Sequence, residues 1–278
     1  MQTKKYELND SAYLTSYVCD DYRVDALPTA KPAIIICPGG GWMTLSEREG
    51  EPIAIEFAQR GYIAFVLHYC VSDVPAGPGD FGLVGRAVDE MEKAYGILLD
   101  LAKKQIICKH RISVLGFSAG GQLVSLFAAK HPELFSCILC YPLLDIKEEI
   151  GFVNSSLCPL ENREIMDKCF SVIGIDPESE NEWSRIDPIE NITSDMPSTF
   201  IWHGAQDDLV KATGSISYAQ KLIENGVRTE LHVYDNCGHG ISLGTRETAA
   251  VEKEINEYGT VWFSQLLRWM EELEDEKR

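Results

Sequence analysis

The sequence lacks an excess of basic residues. Its 278 residues include 25 Lys and Arg against 43 Asp and Glu, which gives a formal net charge of -18 at pH 7. A surface that binds nucleic acid or an anionic membrane needs a basic excess to neutralise phosphate charge. The composition therefore argues against nucleic acids and membranes as partners.

Long apolar runs are missing as well. No stretch approaches the length of a membrane-spanning helix. Lys4 and Lys5 near the N-terminus are not followed by the apolar segment of a signal peptide. Internal repeats and low-complexity tracts are also absent. We therefore expect a globular cytoplasmic protein.

Disulfide and metal frameworks are not expected from the cysteines. There are nine, an odd number, scattered through strand-like segments, which is typical of reduced core residues. Cys137 and Cys140 have the C-x-x-C spacing, but on a strand their side chains point to opposite faces. We therefore predict neither a redox pair nor a metal site.

Short apolar runs alternate with longer amphipathic ones, which is typical of an α/β fold with a mostly parallel sheet covered by helices on both faces. An antiparallel edge strand is predicted at Tyr13–Val18, with turns after it at Asp20-Asp21 and Pro28. The core strands are predicted at residues 33–37, 62–67, 112–117, 137–140, 199–202 and 230–234. The helices are predicted at residues 51–60, 81–104, 119–130, 161–173, 217–224 and 251–273.

Between residues 146 and 197 this alternation breaks down. Prolines are frequent there, and residues 161–173 are the one clear helix candidate. A crossover between two strands needs far fewer residues, so we predict a cap-like insertion at about residues 146–197 that covers the site. The length of the chain suits one large α/β domain, which we predict over residues 1–278.

The most specific motif is Gly116-Phe-Ser118-Ala-Gly120, which follows a predicted strand and precedes a predicted helix. A serine on so tight a turn needs small residues two positions before and after it. The turn raises the Ser118 hydroxyl above the sheet edge, and the helix beginning at Ala119 directs N–H groups toward a negative charge beside it. We predict that Ser118 is a nucleophile and that the Ala119 N–H is an oxyanion donor.

A serine nucleophile needs a histidine as base and a carboxylate to orient it. Of the six histidines, His239 follows the last predicted strand and has a glycine on each side, so we predict it as the base. The preceding core strand ends in the sequence H-G-A-Q-D-D-L-V, which contains two aspartates. We predict Asp207 as the acid because it leads the turn, and Asp208 is the alternative.

A run of glycines follows the first core strand, in the sequence Pro38-Gly-Gly-Gly-Trp42. Consecutive glycines let the backbone approach a ligand closely, and hydrolysis requires N–H donors fixed in advance for the oxyanion. We predict that the N–H groups of Gly40 and Gly41 form the oxyanion hole together with Ala119. Trp42 is predicted to bind substrate, as a wall of the acyl site or as a substitute donor.

With these motifs in the order serine, aspartate, histidine, the chain resembles α/β-hydrolases of the esterase/lipase group over about residues 10–270. Within that group it is most similar to small bacterial acetyl-xylan esterases, BD-FAE-type esterases and related sugar hydrolases. Hormone-sensitive-lipase relatives carry histidine before the glycines, where this chain has Pro38. The segments that carry the likeness are residues 38–42, 46–52, 61–67, 116–121, 140–142 and 238–240.

The resemblance implies a serine carboxylester hydrolase that needs no metal or organic cofactor. It implies short acyl esters as substrates, above all acetyl esters of carbohydrates, and an acyl-enzyme intermediate. The partner would be a small acyl ester, and the oligomeric state is open, a homo-oligomer included. Two alternatives stay open. One is a serine peptidase of the prolyl-oligopeptidase kind, although about thirty residues precede the first core strand where such enzymes carry a propeller. The other is a non-catalytic binding protein on a hydrolase fold.

Overall fold

Eight strands form one sheet in the part of the chain that the computed structural model describes, residues 1–20 and 30–276. In chain order they are β1 (Gln2–Glu7), β2 (Tyr13–Val18), β3 (Lys31–Cys37), β4 (Ile63–His68), β5 (Ile107–Phe117), β6 (Ser136–Cys140), β7 (Thr199–Gly204) and β8 (Thr229–Tyr234). Their order in the sheet is β1-β2-β4-β3-β5-β6-β7-β8. The pairs β1–β2 and β2–β4 are antiparallel and all other neighbours are parallel, so the predicted mostly parallel sheet is confirmed.

Helices cover both faces of the sheet. They are α1 (Glu51–Gln59), α2 (Gly82–Lys103), α3 (Ala119–Ala128), α4 (Ile146–Val153), α5 (Leu160–Val172), α6 (Glu180–Trp183), α7 (Ala212–Glu224) and α8 (Val261–Glu276). The apolar sides of α1 and α8 pack in the core on one face, and those of α2, α3 and α7 pack in the core on the other. Because side chains alternate along a strand, Ile34 lies in the first core and Ile35 in the second.

The structure differs from the predicted elements near both ends of the chain, and α7 and β5 each begin five residues earlier than predicted. The strand β2 is not at the edge, because β1 pairs outside it; β1 is mostly exposed and polar, so an apolar pattern does not reveal it. The C-terminal helix begins at Val261 instead of residue 251, after a short 3-10 turn at Glu252–Glu254. Asp21 and Pro28, predicted as turn residues, lie outside the described residues.

The connection from β6 to β7 is built from helices. It contains α4, the predicted α5 and α6, followed by two 3-10 turns, and strands are absent from its residues, all of which are described. Its apolar side chains, among them Met166, Cys169 and Phe170 of α5, join the core that also holds α2 and α3. That residues 1–278 form a single domain with a cap-like insertion at about residues 146–197 stays a prediction, which this packing supports.

Parallel strands bring their following loops together. The carboxyl ends of β3, β5, β7 and β8 lie at one edge of the sheet, and the segments after them contain the glycine run, Ser118, Asp207 and His239. In α/β sheets, ligands bind at this edge. The topology therefore collects residues that are distant in sequence into one place.

Candidate active site

Ser118 occupies the turn between β5 and α3 with a backbone conformation that residues other than glycine rarely adopt. Its φ is 50° and its ψ is -118°. A Cβ on Gly116 would collide with the carbonyl of Gly120, and a Cβ on Gly120 would collide with the carbonyl of Cys37. The tightness of the turn itself therefore requires Gly116, and its close packing against β3 requires Gly120.

His239 lies between Ser118 and Asp207. Its Nε2 is 2.9 Å from Ser118 Oγ, and its Nδ1 is 2.6 Å from Asp207 Oδ2. An ionised carboxylate can only accept, so Nδ1 carries the proton and Nε2 is left to accept from the serine hydroxyl. Asp208, the alternative acid, is exposed, and its backbone carbonyl accepts a hydrogen bond from the Asn162 side chain. The structure thus brings Asp207, and not Asp208, to the histidine.

Asp207 is buried and accepts four hydrogen bonds. Its Oδ1 accepts the N–H groups of Leu209 and Val210 at 3.0 and 2.9 Å. Its Oδ2 accepts from His239 and, at 3.1 Å, from Nε2 of His203. Burial alone would raise the pKa of Asp207, but the two histidines hold this pKa well below its usual range. The acid is therefore ionised and fixed in orientation.

His203 is a positioning residue that sequence reasoning missed. It is completely buried at the end of β7, its Nδ1 is 2.8 Å from Ser215 Oγ, and its Nε2 is within reach of both Asp207 and the Val210 carbonyl. Two acceptors at Nε2 require that this nitrogen carries the proton. The signal was present in the H-G-x-x-D spacing, where the histidine precedes the acid by four residues.

The environment of His239 favours its protonated form. Burial works against the charge, but the carboxylate of Asp207 outweighs it, so the pKa of His239 is raised above the ordinary value. Glu49 and Glu149 act in the same direction from a greater distance. A histidine that holds a proton readily is suited to take one from a serine hydroxyl.

The glycine loop faces Ser118 across a cavity of about 250 Å³. Gly40 and Gly41 have φ values of 130° and 62°, a region that favours glycine. Within residues 1–20 and 30–276, no hydrogen bond uses the N–H of Gly40, Gly41 or Ala119, and all three residues line the cavity with Ser118 and His239. Their N–H groups are therefore free to bind an oxygen placed beside the serine.

The buried carboxyl of Glu49 is a second feature that was not predicted. Its Oε2 accepts the Gly39 N–H at 2.7 Å, and its Oε1 accepts the Tyr141 hydroxyl at 2.7 Å. That hydroxyl in turn accepts the N–H of Ser242 at 3.0 Å. Burial raises the pKa of Glu49, and the bonds from Tyr141 and Gly39 oppose this rise. Glu49 and Tyr141 thus join the glycine loop to the segment that follows His239.

The prediction that Trp42 binds substrate is wrong. Its side chain is completely buried and does not line the cavity. Its Nε1 donates to Gln122 Oε1 at 2.8 Å, so the N–H is not available as a substitute donor, and the ring packs edge-on against Tyr69. Gln122 also donates to the Ile186 carbonyl. Trp42 therefore anchors the glycine loop to α3, and through it to the β6–β7 connection.

The described residues form neither a metal site nor a membrane-spanning helix. Across the described chain, no group of three or more His, Cys, Asp or Glu side chains is arranged to hold a metal ion. Nor does any helix there have the length and apolar character of a membrane span. All nine cysteines are free thiols, and Cys137 and Cys140 lie in the cores on opposite faces of the sheet.

Comparisons with known proteins relate this site to a family. A model of the prolyl oligopeptidase family matches residues 89–275. The acetylxylan esterase of Xylanibacter ruminicola is 27% identical over 223 residues, which cover 77% of this chain and 42% of that protein. The chain spans less than half the length of the curated relatives that it matches.

Solved structures are similar over almost the whole chain. A sugar hydrolase of Lactococcus lactis has a TM-score of 0.81 and 28% identity, with 100% of both chains covered. An acetyl ester-xyloside bifunctional hydrolase of Caldicellulosiruptor lactoaceticus has a TM-score of 0.73 and 25% identity, covering 94% of this chain and 88% of that one. With the family match, these similarities confirm the α/β-hydrolase fold that the sequence predicts.

Proposed function

The chain belongs to the prolyl oligopeptidase family, and from this membership and its site we propose that it is a serine hydrolase of short acyl esters, with acetylated carbohydrates as substrates. The observation that carries the proposal is the pair of distances at His239, 2.9 Å to Ser118 Oγ and 2.6 Å to Asp207 Oδ2. The names of the Xylanibacter esterase and of the Caldicellulosiruptor hydrolase support esters on sugars as the substrate class.

The proposed reaction has two halves. In the first, Ser118 Oγ attacks the ester carbonyl, His239 Nε2 takes the serine proton, and the resulting oxyanion is held by the N–H groups of Gly40, Gly41 and Ala119. The bond from carbon to the alcohol oxygen then breaks as His239 gives the proton to that oxygen. In the second half, water attacks the acyl-enzyme by the same steps and releases the acid and Ser118. Asp207 keeps His239 in the required tautomer and stabilises its positive charge.

The size of the cavity supports a short acyl group. Its volume of about 250 Å³ lies below the range of about 300–1,000 Å³ that is usual for small-molecule sites. Its apolar wall is formed by Leu143, Ile165, Met166, Cys169, Leu209 and Val210. We expect the p-nitrophenyl ester of acetate to be hydrolysed with a higher kcat/KM than that of octanoate. The opposite order would contradict the short-chain proposal.

Replacing the nucleophile tests the proposal directly. Ser118→Ala should lower kcat for p-nitrophenyl acetate by about 10⁴-fold or more, because only oxyanion and binding effects then remain. A fluorophosphonate probe should label the wild type and fail to label the variant. Ser264→Ala, on the exposed side of α8, is the matched control and should keep both properties. Turnover of Ser118→Ala at the wild-type rate would rule out the proposed nucleophile.

A second candidate is hydrolysis of a peptide bond, which the name of the family favours. The same residues would act, with an amine in place of the alcohol as leaving group. A proline p-nitroanilide substrate, compared with p-nitrophenyl acetate, separates the two functions. A higher kcat/KM for the anilide would assign a peptidase, and turnover of the ester alone an esterase.

A further inference from the structure

We infer that the alcohol part of the ester binds in a second, polar cleft that meets the acyl cavity at His239, and that this cleft accepts a neutral sugar. The inference rests on the proposed ester hydrolysis. Beyond that reaction, it states where the alcohol part of the ester binds and which residues select it.

The polar cleft has a volume of about 810 Å³, within the usual range for small-molecule sites. It adjoins the acyl cavity, because both are lined by Arg48, Ile165, Leu209, His239 and Gly240. Apart from Asn162 of α5, the residues that line only the cleft come from the loop after β7 and from the segment between β8 and α8. They include Gln206, Asp208, Asn236, Lys253, Glu257 and Tyr258.

The direction of proton transfer places the alcohol on this side. After attack, the proton from Ser118 is on Nε2 of His239, and it must pass to the departing oxygen within hydrogen-bond distance. The carbonyl oxygen points to Gly40 and Gly41, which line the acyl cavity and are not part of the cleft wall. The alcohol therefore leaves past His239, away from the glycine loop, and its remaining atoms extend into the cleft.

The side chains of the cleft offer hydrogen bonds that the protein does not use. Gln206, Asp208, Asn236 and Glu257 are exposed, and their side chains make no hydrogen bond to any other described residue. Amides donate and accept, and carboxylates accept, which matches the hydroxyl groups of a sugar. A site that offers such bonds discriminates against an alcohol without hydroxyls, because its polar groups are then desolvated without partners.

An aromatic ring and the balance of charge narrow the class of alcohol further. Tyr258 lines the cleft with 71% of its surface exposed, so its ring is free to pack against the C–H face of a sugar. Arg48 and Glu254 form an ion pair at 2.6 Å and neutralise each other. Two carboxylates and Lys253 remain, so the cleft is negative overall and favours a neutral sugar over a uronic acid.

Two acetate esters with different alcohols test the assignment. Acetate release from an acetylated methyl xyloside and from ethyl acetate is followed in a pH-stat, and the ratio of the two kcat/KM values is compared. Tyr258→Ala should lower this ratio by about tenfold, through KM for the xyloside, whereas Tyr258→Phe keeps the ring and should retain the ratio. The double variant Gln206→Ala/Asn236→Ala should lower the ratio by about tenfold through lost hydrogen bonds.

The outcomes separate this inference from the proposed function. If the wild type hydrolyses ethyl acetate but prefers it to the xyloside, or if none of the variants changes the ratio, the cleft does not bind the alcohol. A wild type that hydrolyses neither ester would overturn the proposed ester hydrolysis itself. The side chains of Gln206, Asn236 and Tyr258 are exposed and make no hydrogen bond to another described residue. Melting temperatures within about 2 °C of the wild type are therefore expected, and they verify folding.

Discussion

The loop after β7 and α4, the first helix of the β6–β7 connection, each contain a buried carboxyl group. The pKa values of these two groups are shifted in opposite directions. Asp207 and Glu149 lie on either side of one short segment, since Glu149 Oε2 accepts the N–H of Lys211 at 2.9 Å. Asp207 accepts four hydrogen bonds, whereas the Oε1 of Glu149 has no partner within the described residues. Burial raises the pKa of Glu149 to about 7, while the pKa of Asp207 lies well below its usual range. The charge of His239 and the hydrogen bonds from both histidines, more than burial, decide which of the two acids is ionised.

A second acid of the connection follows Glu149. Asp187 is buried, both of its oxygens are 3.2 Å from the N–H of Ile146, and burial raises its pKa to about 7. The helices of the β6–β7 connection are thus attached through two carboxyl groups whose pKa burial raises to about 7. The triad acid keeps its charge around this pH. As pH falls from neutral, we expect the attachment of these helices to change well before Asp207 loses its charge.

The largest effect is expected where the charged acid is removed. Asp207→Asn should lower kcat for p-nitrophenyl acetate by about 10⁴-fold, because an amide allows the wrong tautomer of His239. The pKa of His239 should fall without the carboxylate, so the acidic limb of kcat/KM should move to lower pH. The matched control Asp208→Asn should lose less than tenfold. Equal losses in the two variants would mean that the triad acid is assigned to the wrong residue.

Glu49 is intermediate between the two acids, because it is buried like Glu149 but accepts two hydrogen bonds. Glu49→Gln should lower kcat by about 10–100-fold with little change in KM. The neutral amide removes the charge that strengthens the hydrogen bond from the Gly39 N–H, and the bond with the Tyr141 hydroxyl must reverse its direction, so the glycine loop is held less firmly. Tyr141→Phe leaves the Gly39 bond intact and should lose less. A shift of the acidic limb of kcat/KM to lower pH would accompany the loss, since Glu49 raises the pKa of His239. A variant with wild-type kcat and pH profile would show that Glu49 does not position the loop.

The features of the site that the sequence predicts are local, and those that it does not predict depend on tertiary packing. The elbow at Ser118, the choice of Asp207 and the core strands follow from local patterns: small residues around a turn, an acid at a strand end and short apolar runs. The roles of Glu49 and Glu149 depend on burial created by segments distant in the chain, which no local spacing encodes. His203 differs from them, because its spacing of four residues from Asp207 is a local signal. The polar strand β1 was missed because pairing with β2, and not an apolar face, holds it in the sheet.

The smallest effect on activity is expected from Glu149→Gln, which instead changes how stability depends on pH. The pKa of Glu149 in the folded state lies above the unfolded value, so the stability linked to it is complete below the unfolded pKa and is lost as pH rises through about 7. The glutamine cannot titrate, and its oxygen still accepts from Lys211. Between pH 5 and pH 8.5 the free energy of unfolding should therefore fall less in the variant than in the wild type, by on the order of 2 kcal/mol.

Urea unfolding at the two pH values measures this difference. Hydrogen exchange shows whether the loss of stability at high pH is confined to α4 and α5. The neighbouring Glu148 is exposed and accepts the Thr213 hydroxyl, so Glu148→Gln is the matched control and should leave the pH dependence unchanged. If Glu149→Gln keeps the pH dependence of the wild type, Glu149 is already ionised at pH 5. The contrast with Asp207 would then rest on geometry alone and not on charge.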